Sequence, residues 1–91
     1  MIEVEVTGGP PLWRCHVRVE GDGSATAHEV TITEEDLERW GRSGRVEDLV
    51  RRSFEFLLAR EPKESILRSF DLPVIQRYFP EFDEAMGSLG R

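Results

Sequence analysis

The residues best suited to chemistry are one histidine and two glutamates. The strand pairing described below predicts that His16 lies between Glu3 and Glu29 in one row across three strands. Two carboxylates and one imidazole can hold a divalent metal or respond to pH. Ordinary charge pairing between exposed strands is the simpler interpretation, because such pairs are common and individually weak. We favour it, so we predict no metal and no cofactor, and these three residues remain weak metal candidates.

The only cysteine does not indicate a nucleophile. Cys15 alternates with apolar residues, so we expect it to be buried as a small hydrophobic side chain. A catalytic cysteine needs a base within reach, but the adjacent His16 points to the opposite face of a strand. His28 is expected on the inner face near the strand end, as a hydrogen-bonded or edge residue and not as a catalytic one. Since the sequence also lacks a Gly-x-Ser-x-Gly elbow and a phosphate-binding loop, an enzyme is the less favoured class.

A group of arginines provides an alternative function. Its members could form a phosphate-binding face for nucleic acid: Arg39, Arg42, Arg45, Arg51 and Arg52. The net charge of −6 opposes this function, and Glu47, Asp48 and Glu55 stand three or four positions from the arginines of the long helix. We therefore expect a solvated helix face, and nucleic-acid binding by these arginines is the alternative.

The C-terminal part contains more large apolar residues than one sheet face needs. Some can cover each other, and others can form a surface for another protein or for a second copy of the chain. The candidate partner-binding residues are Leu72, Tyr78, Phe79 and Phe82. A homodimer would enlarge the small core that a short chain can build. A strand added at the open sheet edge is the other docking mode that we consider.

These candidates must be positioned by one small domain. The chain has 91 residues, and we assign 1–82 to a single α+β domain and 83–91 to a frayed C-terminal tail. No apolar run approaches the roughly 18 residues of a membrane span, and no signal peptide is visible at the start. We therefore expect a cytoplasmic protein that does not bind membranes.

Alternating apolar and polar residues predict three strands over residues 2–7, 12–20 and 25–32. Loops over residues 8–11 and 21–24 would join them into an antiparallel meander with one buried face. A four-residue first loop places Val4 opposite Cys15 and Glu5 opposite Arg14. The second sets Cys15 opposite Val30, and a slip of one residue there would expose apolar side chains.

Three or four helices are predicted after the strands, packed on one face of the sheet. Thr33 can cap a short helix that ends at Gly41. Apolar residues at spacings of three and four predict the longest helix over 45–60. A shorter helix is predicted over 63–70, and another after the break at Asp71. The element order is therefore β-β-β-α-α-α, which is an α+β fold.

The expected function is a small, non-catalytic protein-interaction or regulatory module. Its size, its acidity and the extra apolar residues of its helical half favour this class over the others. Nucleic-acid binding through the arginines is the alternative. A metal-binding or hydrolytic site on the sheet face is less favoured, because an open sheet face encloses no pocket.

Overall fold

The computed structural model describes residues 1–41 and 44–87 and shows an α+β fold, in which three long strands precede the helices as predicted. A four-stranded sheet of order β1-β2-β3-β4 carries the helices on one face. The elements follow in chain order: β1 (Ile2–Gly9), β2 (Leu12–Gly21), β3 (Ser24–Thr33), α1 (Glu34–Asp36), a π-helical turn (Leu37–Gly41), α2 (Val46–Leu58), a 3-10 turn (Lys63–Ser65), β4 (Ser69–Asp71), α3 (Pro73–Tyr78) and α4 (Phe82–Gly87).

The second hairpin has the predicted register. Cys15 lies opposite Val30 and Glu20 opposite Ala25, and the ladder continues to Gly21 and Ser24. The turn is therefore the two residues Asp22 and Gly23, with φ angles of 55° and 77°. Positive φ at both central residues is the requirement of the type I′ turn, which matches the twist of antiparallel strands.

The first hairpin differs from the predicted register by two residues. Val4 lies opposite Val17 and not Cys15, because pairing extends to Gly9 and Leu12 and leaves only Pro10 and Pro11 in the loop. Gly8 makes this extension possible with a φ of 79°, which glycine accepts without a side-chain clash. Since side chains alternate with a period of two, the shift leaves every residue on its predicted face.

The helix predicted over 63–70 is wrong. Lys63–Ser65 forms one 3-10 turn, and Ser69–Asp71 is a fourth strand that runs parallel to β3. Two inward polar contacts hold this segment extended: Lys63 Nζ donates to the carbonyl of Gly21 at 2.9 Å, and His28 Nδ1 contacts the carbonyl of Leu67 at 2.7 Å. These are tertiary contacts, which the local apolar spacing does not encode.

The core lies between the inner sheet face and the helices. Its fully buried side chains include Cys15 and Ile32 from the sheet, Phe54 from α2 and Trp40 from the π-helical turn. The longest helix, α2, has 13 residues, and no helix in the described part of the chain is long and apolar enough to cross a membrane. Burial of this single apolar layer is the main stabilising contribution in a domain of this size.

The C-terminal helix α4 closes the core. Residues 83–87, which we assigned to a frayed tail, belong to this helix, and the prediction for 88–91 concerns residues outside the described part. Met86 is buried, and the Trp40 indole donates a hydrogen bond from Nε1 to Asp83 Oδ1 at 2.8 Å. These contacts explain why this segment is helical although its local pattern is weak.

We expect Gly23→Ala to destabilise the fold by about 1–2 kcal/mol, because alanine at positive φ brings its Cβ against the backbone. Gly21→Ala is the matched control, since a Cβ atom added at Gly21 would meet nothing within 4 Å and this residue has no positive φ. Urea unfolding of both variants measures the difference. Equal losses in the two variants would contradict the type I′ assignment.

Candidate functional site

The outer sheet face does not bring the predicted metal candidates together. His16 lies opposite Glu29 as predicted, but its other neighbour is Glu5, while Glu3 lies opposite Arg18. The two-residue shift of the first hairpin causes this exchange. Among residues 1–41 and 44–87, no three His, Cys, Asp or Glu side chains are close enough to hold a metal ion.

The two-residue shift also changes the partner of Arg14 on this face. Arg14 lies opposite Thr7 and not Glu5, and its guanidinium contacts the Glu29 carboxylate at 3.1 Å. Both side chains are exposed, so this contact contributes little to stability. The face is a solvated surface with ordinary charge pairing between strands.

Cys15 and His28 are both buried in the core. Burial raises the pKa of the Cys15 thiol to about 11, which keeps it protonated near neutral pH. His28 is buried, and since the Leu67 carbonyl can only accept, His28 Nδ1 donates to it, while Nε2 lies 2.9 Å from Thr26 Oγ1 at hydrogen-bond distance. His28 is therefore a hydrogen-bonded core residue, as predicted.

Two of the five candidate arginines already have partners. Arg39 contacts the Asp83 carboxylate at 3.2 Å. Arg51 contacts Glu47 at 3.3 Å and donates to the Ile2 carbonyl at 2.5 Å. These two arginines are therefore directed to different elements, α4 and β1, and not to one shared phosphate.

The remaining arginines do not extend this pair into a face. Arg45 is exposed just before α2, and Arg52 is half-buried within it. Neither forms an ion pair within the described residues. Arg42 lies outside the described part, so its predicted role is not placed.

The four candidate partner-binding residues divide into two core residues and two accessible ones. Leu72 and Phe82 are fully buried. Phe82 packs edge-on against Trp40, with ring centroids 5.2 Å apart, and Leu72 follows β4 at the start of α3. Neither is accessible to a partner, because the folded chain uses both to close its own core. Tyr78 is 70% exposed, and Phe79 is half-buried.

Tyr78 and Phe79 line an apolar groove that the helix prediction over 63–70 did not anticipate. The groove lies between the end of α2, the segment before β4, and α3, and its volume is about 250 Å³. Its apolar lining comprises Leu57, Ile66, Leu67, Phe70, Val74, Ile75, Tyr78 and Phe79. The extended course of the segment before β4 leaves Leu67 48% exposed at the rim. The only sequence signal for this groove is the excess of large apolar residues in the C-terminal part.

The polar groups of the groove are few. Glu61 and Ser65 complete its lining, and a second, shallower depression with Asp71 and Arg77 adjoins it at β4. Within the described residues, no hydrogen bond joins Glu61 to Ser65, and the mainly apolar lining suits an apolar group.

Comparisons with known proteins provide no relative: no family model, no curated protein and no solved structure matches this chain.

We expect Phe82→Ala to destabilise the protein by about 3–5 kcal/mol, because it leaves a cavity against Trp40 and Phe56. Tyr78→Ala is expected to change stability by less than about 0.5 kcal/mol, since the side chain is mostly exposed. Thermal or urea unfolding distinguishes the two. A large loss for Tyr78→Ala would show that this residue supports the core and does not form a free surface.

A thiol reagent is expected to leave Cys15 unmodified in the folded protein at about pH 8 and to modify it after unfolding. The free energy of unfolding should also fall as the pH rises from about 9 to about 11, because the thiol ionises first in the unfolded chain. Cys15→Ala should lack this part of the pH dependence. Rapid labelling of the folded protein would contradict the burial.

Proposed function

We propose that this protein is a non-catalytic interaction module that binds another protein through the apolar groove beside β4. The single observation that supports this proposal is the combination of a groove of about 250 Å³ with two large, exposed apolar side chains at its rim, Leu67 and Tyr78. Exposed apolar side chains grouped around a concavity are typical of protein-binding surfaces. The location that accompanies this proposal is the cytoplasm, as predicted from the sequence.

The size of the groove favours a side-chain anchor over a cofactor. Small-molecule sites usually occupy roughly 300–1,000 Å³ and carry several converging polar groups. This groove is smaller, and within the described residues its polar side-chain groups are those of Glu61 and Ser65 and the hydroxyl of Tyr78. An apolar residue or two of a partner would fill it, with the Tyr78 ring as a wall and its hydroxyl at the solvent boundary.

Self-association through the same groove is the second form of this proposal. Two copies could place Tyr78 of one in the groove of the other, which a small domain can use to enlarge its buried surface. The oligomeric state then depends on the same residues as partner binding, so both forms are tested with one set of variants.

The test uses a Leu67→Ser, Tyr78→Ser double variant as affinity bait beside the unmodified chain. We expect the double variant to weaken capture of a stoichiometric protein partner by about 30-fold, because aromatic anchors in apolar pockets often contribute about 2 kcal/mol or more. Quantitative mass spectrometry of the eluates measures capture, and sedimentation velocity of the purified proteins measures self-association.

Leu12→Ser is the matched control, because Leu12 is 42% exposed but lies at the first hairpin, away from the groove. It should capture the same partner as the unmodified chain. If the double variant loses neither a partner nor self-association, the groove is not the docking site. Nucleic acid that elutes with salt would instead favour the alternative function of the arginines.

A further inference from the structure

The opposite edge of the sheet, formed by β1, is open along most of its length. On one side β1 pairs with β2, and on the other side no strand covers it within the described residues. An open edge presents backbone N–H and C=O groups to any extended chain that approaches. With eight residues, β1 is also much longer than the three-residue strand β4 at the other edge.

The backbone pairing shows which groups of β1 point outward. Met1 and Glu20 exchange two hydrogen bonds of 2.8 Å, so they form a hydrogen-bonded pair of the antiparallel ladder. Such pairs alternate with pairs that exchange none. The N–H and C=O groups of Ile2, Val4 and Val6 therefore point away from β2. Arg51 already occupies the Ile2 carbonyl, at 2.5 Å.

Within residues 1–41 and 44–87, two neighbouring residues thus have no partner for their outward backbone groups. These are Val4 and Val6, which also present half-buried apolar side chains on the inner face. The outer-face side chains between and beside them are the carboxylates of Glu3 and Glu5. Both are exposed, and neither forms an ion pair or a side-chain hydrogen bond within residues 1–41 and 44–87.

These carboxylates oppose pairing with a second copy. An antiparallel pair of β1 strands centred on Val4 would set Glu3 against Glu5 of the other copy, and one centred on Glu5 would set Glu5 against itself. Like charges directly opposite each other destabilise a sheet. The same carboxylates would instead attract basic side chains at the facing positions, and the net charge of −6 favours approach of a basic partner.

We propose that the β1 edge binds an extended segment of another protein in which basic and apolar residues alternate. The backbone of this segment pairs with Val4 and Val6. Its apolar side chains continue the inner face, and its basic side chains face Glu3 and Glu5 on the outer face. This surface is separate from the groove beside β4, and the proposal does not depend on the function assigned to that groove.

The experiment uses a short synthetic peptide of alternating lysine and valine residues as the probe. Its controls are a peptide of the same composition with the lysines in one block, and a peptide of alternating glutamate and valine. We expect the lysine–valine peptide to bind at least about tenfold more tightly than either control, measured by calorimetry at low salt. Its binding should slow hydrogen exchange at the Val4 and Val6 amides and leave the outer-edge amides of Ser69 and Asp71 unchanged.

A Glu3→Lys, Glu5→Lys double variant provides the reciprocal test. It should lose the lysine–valine peptide and gain the glutamate–valine peptide, and this gain also shows that the variant is folded. If the block peptide binds as tightly as the alternating one, attraction is by charge alone and the strand pairing is wrong. Protection at Ser69 and Asp71 in place of Val4 and Val6 would overturn the assignment to β1.

Discussion

The structure depends on covering one apolar sheet face. The three long strands place their apolar residues on the same side of the sheet. Folding is favoured because it removes this apolar surface from water. Helix α2 lies across this face and carries the fully buried Leu49, Val50 and Phe54. The remaining elements close its margins: the π-helical turn contributes Trp40, and α4 contributes Phe82, which pack edge-on against each other.

The path of the chain between α2 and β4 determines where the apolar groove forms. The segment before β4 is held by two polar contacts to its inner side, those of Lys63 with Gly21 and of His28 with Leu67. A helix over this segment would place the apolar side chains of Ile66 and Leu67 on its core-facing side. The extended course instead leaves Leu67 at the surface and opens the groove against Tyr78.

Burial and charge assign different roles to the two sides of the sheet. On the inner side, the polar groups are satisfied: His28 has two hydrogen-bond partners, and the described part of the chain has no buried side-chain N or O atom without one. On the outer side, charges are exposed and pairs such as Arg14 with Glu29 are screened by water. The two sheet edges also differ, since β4 adjoins the apolar groove, whereas β1 carries two carboxylates that form no ion pair in the described part of the chain.

Local residue patterns predicted the three long strands and α2, and they predicted the inner or outer face of each residue in those strands. Alternation identified the three long strands, the turn residues Gly21-Asp22-Gly23-Ser24 identified the second loop, and the apolar stripe identified α2. It placed Cys15 and His28 inside for the same reason. These features are local, because each is encoded by the spacing of residues within one element.

Contacts between distant elements determined the features that local patterns do not encode. The first hairpin moved by two residues, because alternation has a period of two and cannot distinguish Glu3 from Glu5 as the neighbour of His16. Strand β4 has three residues, too few for a periodic signal, and depends on contacts with β3. Leu72 and Phe82 were candidate partner-binding residues together with Tyr78, but both are buried. Packing against distant elements, and not residue type, determines which apolar side chains remain exposed.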